Sequence, residues 1–358
     1  MATTTTGSRA AAGGKEKAPN QWMLGIRTLL RGAGQVMFQC SSWTGLLFLA
    51  GIFWGAYASH TPAVAWGALV GLAASTLAGY LVKLPAANGD EGLWGFNGIL
   101  VGCAFPTFMA DNWLMWLCLI FFAMCTTWVR SGFNNLLRQF NTNSFTFPFV
   151  FLTWVMLFGT RIFDGVDPTT LSHPALPVVT LGTLDSSFGH LVIYWLKGIS
   201  QVFLINDWVT GILFLVGLWL CSRWAAIWAA LGSAISLAMA ILLKADPSDI
   251  ANGLFGFSPV LTAIALGCTF YKVNWKSAIW AVCGIVATVF IQGAMDVVFT
   301  PWGLPTLTGP FCVATWLFIL PAYKFSAHDV QDRSEWTADA RQEAQIIDRD
   351  LEREVDKL

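Results

Sequence analysis

Apolar runs separated by short polar or turn-forming stretches fill most of the chain, and their order repeats. Gln21 to Cys40 reads as a helix with Arg27 and Arg31 in its first half, followed by apolar runs over 44–59 and 63–84. Residues 88–106 interrupt the pattern, because glycines at three-residue spacing in GLWGFNGIL (92–100) make a poor ordinary spanning helix. Such a stretch predicts a chain that enters the membrane, breaks and restarts as a short helix. Irregular backbone of this kind is tolerated at membrane depth only where protein buries it or it lines a cavity. Apolar runs over 112–129 and 145–160 follow, on either side of the polar stretch Arg130–Ser144.

Residues 161–187 carry three prolines and three aspartates and are too polar to span. After them the series returns as Phe188–Ile205, 208–222, 225–244, a second broken segment over 250–270 (GLFGFSPVL at 253–261), 277–299 and 306–323. Three ordered matches support a duplication. Gly34-Gln35-Val36 pairs with Ser200-Gln201-Val202 at an offset of 166, the broken segments pair at 161, and the segments around Thr146-Phe147-Pro148-Phe149 and Thr308-Gly309-Pro310-Phe311 pair at 162. Spans need roughly 20 apolar residues. The expected fold class is therefore an all-α integral membrane protein of two homologous halves, each with about five transmembrane helices and one tilted, half-membrane re-entrant helix. An odd number of crossings per half turns the second copy upside down relative to the first, as an inverted repeat.

The expected organisation is a disordered cytoplasmic N-terminus (1–21), a first membrane repeat (22–160), a linker (161–187), a second membrane repeat (188–325) and a charged cytoplasmic tail (326–358). Residues 327–358 hold ten acids and five bases and read as a solvated helix. Residues 1–20 lack the apolar core of a secretory signal. Arg27 and Arg31 favour a cytoplasmic N-terminus, and an even total of crossings returns the tail to the same side.

Composition agrees with a membrane protein: 56% of the 358 residues are hydrophobic and 11% charged, against about a quarter charged in soluble chains. A net charge of −1 gives no footprint for nucleic acid. The eight cysteines lie in or beside apolar runs at spacings that suit neither zinc nor a disulfide framework, and read as buried thiols. No cluster of nucleophiles, acids or metal ligands suggests an enzyme, a metal site or a cofactor.

Ionisable groups are nearly absent from the spans. Asp296 and His190 stand near span ends, Lys83 and Lys244 at helix termini, and Lys197 at the place that Arg31 holds in the first half. Coupled transporters usually carry intramembrane Asp, Glu or His, so this pattern argues for passive passage of a neutral solute. The polar residues that remain inside form symmetric pairs: Gln35 with Gln201, Thr146 with Thr308, Asn97 with Ser258. Each threonine stands two residues before a proline, whose missing N–H would free a carbonyl one turn back. Phe96 with Leu100 and Phe257 with Leu261 share a helical face; they either pack as core or hold open a flat slot, with Phe38 as an opposing wall.

GLWGFNGILVG, GLFGFSPVLTAIALG and the paired segments FTFPFVFLTW and LTGPFCVATW resemble the urea transporter family, the passive urea channels of bacteria and mammals. The resemblance covers nearly all of 22–325. It implies ten spanning helices, two tilted half-membrane helices, a homotrimer in the lipid bilayer and a separate pore in each protomer. Residue by residue it implies slot positions at Phe96, Leu100, Phe257 and Leu261, a slot wall at Phe38, a constriction at Thr146 and Thr308, and mouth positions touching urea amides at Gln35 and Gln201. Ser258-Pro259 departs from the Asn-Gly of the first copy, although proline suits a first helical turn.

Two other functions remain open. A channel for another small neutral solute (a short amide, ammonia or water) shares the architecture, although His60, His173, His190 and His328 show no symmetric placement and no Asn-Pro-Ala motif occurs. A membrane protein without transport activity, its charged tail binding a partner, is the other.

Overall fold

The computed structural model describes residues 21–168, 171–178 and 182–321. The expected disordered N-terminus, apart from Gln21, and the charged tail lie outside the described residues. Among the described residues, fourteen α-helices fall into two series of seven. The first comprises α1 (Gln21–Gln35), α2 (Ser42–Ala58), α3 (Pro62–Leu81), the single turn α4 (Ala86–Asp90), α5 (Phe96–Phe108), α6 (Trp113–Leu137) and α7 (Phe147–Gly159). The second comprises α8 (Phe188–Ser200), α9 (Trp208–Cys221), α10 (Arg223–Leu242), α11 (Pro247–Ala251), α12 (Phe257–Ile264, extended by a wide turn over Ala265–Thr269), α13 (Trp275–Phe299) and α14 (Gly309–Ile319).

Matching helices start for matching reasons. The Ser41 hydroxyl accepts from Thr44 N at the start of α2, and the Asp207 carboxylate accepts from Thr210 N at the start of α9. Asn112 and Asn274 do the same for α6 and α13. A side-chain acceptor in this place satisfies one of the orphan N–H groups of the first turn. Helix ends also match: Phe38 and Leu204, Lys83 and Lys244, and Asn141 and Gly303 each adopt left-handed backbone.

The halves exchange contacts pairwise. Thr44 Oγ1 donates to Gly217 O at 2.8 Å, and Thr210 Oγ1 donates to Gly51 O at 2.8 Å. Trp154 Nε1 donates to Pro305 O, and Trp316 Nε1 donates to Asn143 O, both at 2.9 Å. Phe48 of α2 meets its counterpart Phe214 of α9 with ring centroids 4.9 Å apart. Exchange of equivalent partners is what a two-fold relation between two units produces.

Four helical segments are long and apolar enough to cross a bilayer: Pro62–Leu81, Trp113–Phe140, Arg223–Leu242 and Trp275–Trp302. Phe188–Phe203 with Trp208–Cys221 forms a further candidate span, bent by 72°. This is a multi-pass membrane architecture. Trp113 and Trp275, the first residues of α6 and α13, are 73% and 70% exposed. Tryptophan is enriched at that level, where an apolar ring meets the lipid headgroups.

Several boundaries differ from those expected. Helix α6 continues through Arg130 and Asn134 to Leu137, so the polar stretch 130–144 is half helical. A drop in hydropathy without a proline does not stop a helix; here left-handed Asn141 (φ 52°) does. The first helix stops at Gln35 rather than Cys40, before left-handed Phe38 (φ 61°). Helices α7 and α14 have 13 and 11 residues, about 20 and 17 Å at 1.5 Å per residue. Neither crosses a core of about 30 Å alone; the non-helical stretches 141–146 and 303–308 precede them.

Candidate functional site

Both broken segments have the build that the sequence suggests: a one-turn helix, a tight turn and a restarted helix. The turn depends on glycine. Gly92 and Gly253 have φ of 82° and 72°, and a Cβ on either would overlap the backbone N of Gly32 or Gly198. Arg31 and Lys197, which hold equivalent places, flank these two contacts and so share a structural setting. Arg31 also donates to Asp90 O at 2.8 Å. The turns aim carbonyls at the two glutamines: Gln35 Nε2 donates to Glu91 O and Gln201 Nε2 to Asn252 O, both at 2.9 Å. Each glutamine thus has its amide nitrogen anchored. Gln35 Oε1 is buried without a partner, an acceptor in a dry setting where one unmet bond costs about 1–3 kcal/mol.

Thr146 and Thr308 meet where α7 and α14 begin. Their Oγ1 atoms are 2.6 Å apart and buried, and Cys312 Sγ lies 3.5 Å from Thr146 Oγ1. A membrane threonine commonly bonds its own i−4 carbonyl, and a residue before a helix commonly caps it. Neither hydroxyl caps its helix. Pro148 and Pro310 lie in the first turns of α7 and α14, where a missing N–H leaves nothing unpaired. The carbonyls of Ser144 and Thr306 accept from Phe147 N at 2.9 Å and Gly309 N at 3.1 Å. The prolines therefore start helices and do not strip acceptors from an existing turn.

Phe96, Leu100, Phe257 and Leu261 begin α5 and α12 and are all buried or nearly so. Phe96 carries the Arg130 guanidinium 5.4 Å above its ring. Phe257 faces a chamber instead. Phe38 packs edge-on against Phe145, Phe270 and Phe311, with centroids 6.4, 5.9 and 6.1 Å away. Phe96 and Phe257 are not among its ring partners in the described residues. Asn97 has a bonded role: its amide donates to Phe145 O and its Oδ1 accepts from Phe149 N at 3.1 Å, tying α5 to α7. Its counterpart Ser258 has a buried hydroxyl without a partner.

On the second-half side of the threonine pair lies a chamber of about 490 Å³, lined among others by Gln201, Leu204, Asn206, Asp249, Phe257, Gln292, Asp296, Thr306 and Thr308. Gln292 Nε2 donates to both Asp296 carboxylate oxygens, at 3.0 and 3.2 Å, and to Thr306 Oγ1 at 2.8 Å. The first half differs at these places: Arg130 stands for Gln292, Asn134 for Asp296, and Asn134 Oδ1 accepts from both N and Oγ of Ser144. The surroundings of the two glutamine turns differ as well. Cys40 donates its thiol hydrogen to the Glu91 carboxylate, whereas the equivalent Asn206 donates to Asn252 Oδ1 at 2.9 Å.

Of the nine residues singled out, the structure joins Thr146 to Thr308 directly and places Gln201, Phe257 and Thr308 on one chamber. Gln35, Phe38, Phe96, Leu100 and Leu261 lie in the same continuous core or beside it, without a direct bond to the threonines. Phe145, Phe270 and Gln292 escaped notice, and Phe311 and Asp296 were seen only as part of a matched segment and as a residue near a span end. Leu307 and Met109 stand at the places equivalent to Phe145 and Phe270, so a search for matched pairs passes over these two.

Residues 26–323 match the family model described as "Urea transporter". The chain is 31% identical over 296 residues to Urea transporter 1 of Ovis aries and to Urea transporter 1 of Capra hircus, each alignment covering 82% of this chain and 76% of the relative. Urea transporter 1 of Rattus norvegicus is 29% identical over 295 residues, with the same coverage.

Proposed function

The chain belongs to the urea transporter family, and we propose that it passes urea down its gradient through a narrow pore in each protomer, at the junction of the two halves. The observation that carries the pore is the contact of the Thr146 and Thr308 hydroxyls, 2.6 Å apart between equivalent residues of the two repeats. Urea is neutral and planar, with four N–H donors and one carbonyl. Its path calls mainly for acceptors and flat apolar walls. The threonine hydroxyls, Gln35 Oε1 and Gln201 supply acceptors, and the rings of Phe96 and Phe257 with Leu100 and Leu261 supply walls. Phe38 closes the phenylalanine cluster beside them. Each polar contact replaces a bond to water, so a neutral solute sheds its hydration at little cost, whereas an ion would not. Several moderate sites in series let the solute leave as readily as it enters.

The rest of the assembly follows from the same reading. The two-fold exchange of contacts supports an inverted repeat with its axis in the membrane plane. We place both termini in the cytoplasm, the protein in the cell membrane, and three copies in the assembly, each with its own pore. Passage of a solute does not call for an enzyme's acid, base or nucleophile, and none is assigned.

Light-scattering measurement of urea-driven swelling in proteoliposomes tests the function. Fast re-swelling in urea that depends on the protein is expected. Swelling no faster than that of empty liposomes would overturn the proposal.

A further inference from the structure

We propose that the chamber on the second-half side of the threonine pair binds a small planar organic cation of the guanidinium class, which blocks the pathway from that side. The site rests on the pore proposed above, since its consequence is obstruction of that pore. Its chemistry is independent of urea. Asp249 and Asp296 both line the chamber, and among the described residues no cationic side chain is within ion-pairing distance of either. The Arg161 guanidinium is held by the carbonyls of Ser172, Trp302 and Gly303 at the rim, at 2.9, 3.0 and 3.2 Å. His173 also lines the chamber without pairing with a carboxylate.

Acidic residues alone do not make a site; Gln292 supplies the second observation. It is 4% exposed and lines the chamber. Its amide nitrogen is committed to Asp296 and Thr306, which leaves Oε1 buried without a partner. The groups gathered here are acceptors: two are carboxylates with no cation beside them among the described residues, and Gln292 Oε1 has no partner. Urea satisfies acceptors but leaves the charge unanswered. Guanidinium has nearly the same plane and size, carries one more amino group in place of the carbonyl, and brings the missing positive charge. Charge-assisted bonds to a carboxylate are roughly twice as strong as neutral ones.

The cation would stop there. Beyond the chamber lies the buried threonine pair, where two neutral hydroxyls replace only a small part of the solvation that a charge requires. The opposite side offers no equivalent site: at the places of Gln292 and Asp296 it has Arg130, lying over Phe96, and the neutral Asn134. A cation that passes the Glu91 carboxylate, which is engaged by Cys40, meets the like charge of Arg130 there.

The test uses the full-length protein and guanidinium chloride at low millimolar concentration, with tetramethylammonium chloride and sodium chloride at equal ionic strength as controls. Calorimetric titration in detergent is expected to show binding of guanidinium alone. Asp296→Asn should weaken it by about tenfold or more, in line with a lost charge-assisted pair, and Asp249→Asn, which leaves the carboxylate beside Gln292 in place, should weaken it less. In proteoliposomes guanidinium should slow urea flux, and labelled guanidinium should not enter. Equal behaviour of guanidinium and tetramethylammonium, or unaltered binding in both well-folded variants, would overturn the site. Guanidinium uptake at the urea rate would overturn the block. Urea flux without added cation separates the two proposals: flux with no guanidinium binding removes the site alone, and binding with no urea flux removes the transport function alone.

Discussion

Thr146 and Thr308 lie 162 positions apart, and their hydroxyl oxygens are 2.6 Å from one another in a buried setting. Each is the other's partner, and neither caps its own helix. If the pair forms the constriction, Thr146→Val or Thr308→Val replaces a hydroxyl by a methyl at nearly constant shape and removes an acceptor from a solute that has shed its water. The loss is roughly 1–3 kcal/mol at the barrier, or about ten- to a hundredfold in initial urea flux per protomer. Serine at either position should restore most of the flux. Unchanged flux in both folded valine variants would remove the threonines from the pore.

Gly92 and Gly253 lead to a prediction about stability. Both have left-handed backbone, and a Cβ on either would overlap a glycine N of α1 or α8. Alanine there carries a left-handed cost of roughly 1–2 kcal/mol together with the overlap. Gly92→Ala and Gly253→Ala are each expected to lower the thermal unfolding temperature and the yield of folded protein. Gly132 of α6, where an added Cβ meets nothing within 4 Å, is the control, and its alanine variant should unfold at the wild-type temperature or above it. Equal melting of all three would show that these turns tolerate a side chain.

Gln35 separates anchoring from recognition. Its Nε2 bonds Glu91 O at 2.9 Å while its Oε1 has no partner. Gln35→Met keeps the length, fills the space and removes both groups. One lost hydrogen bond costs about 1 kcal/mol of stability, so melting should change little. Urea flux should fall several-fold if Oε1 is a docking point for an amide. Flux that tracks the small change in stability, with no further loss, would mean that Gln35 only holds the turn.

Duplication made part of this arrangement legible. Thr146 and Thr308, Gln35 and Gln201, and the two glycine turns stood out because each occurs twice in register. The same filter hid what is not duplicated. Phe145 (φ 48°) faces a counterpart, Leu307 (φ 51°), that shares its backbone but not its ring. Gln292 and Asp296 are matched by Arg130 and Asn134, so the Gln292–Asp296 pair of the chamber has no echo in the other copy. Helix ends were missed for a different reason. Hydropathy reports where lipid or core surrounds a chain, whereas Asn141 and Phe38 end their helices through left-handed backbone, which apolar periodicity does not encode.

Energetics follow from the residues proposed for the pore. Gln35, Thr146, Gln201 and Thr308 do not titrate or bind ions tightly, the slot positions are apolar, and the carboxylates of Asp249 and Asp296 stand in the chamber before the threonine pair. Urea flux is therefore expected to be equal in both directions and indifferent to membrane potential, sodium and proton gradients. Initial rates in liposomes with imposed gradients check this. Accumulation of urea above its outside concentration on energising the membrane would contradict passive passage.

Phe96 and Phe257 hold equivalent positions with unlike surroundings, and that difference separates packing from selection. The guanidinium of Arg130 lies 5.4 Å above the Phe96 ring, a contact worth about 0.5–2 kcal/mol depending on its exposure. Gln292 stands at the equivalent place in the second half, and Phe257 faces the chamber. Leucine at Phe96 should therefore lower the melting temperature more than leucine at Phe257. Selectivity should follow the other order if the slot is read from the chamber side. Phe257→Leu is expected to admit larger amides such as acetamide relative to urea, and Phe96→Leu to do so less, since the Arg130 guanidinium stands over that position. Parallel measurements of thermal unfolding and of acetamide-to-urea flux ratio in liposomes decide the matter. A flux ratio unchanged in both variants, with stability lost in proportion to packing alone, would return the two rings to the core.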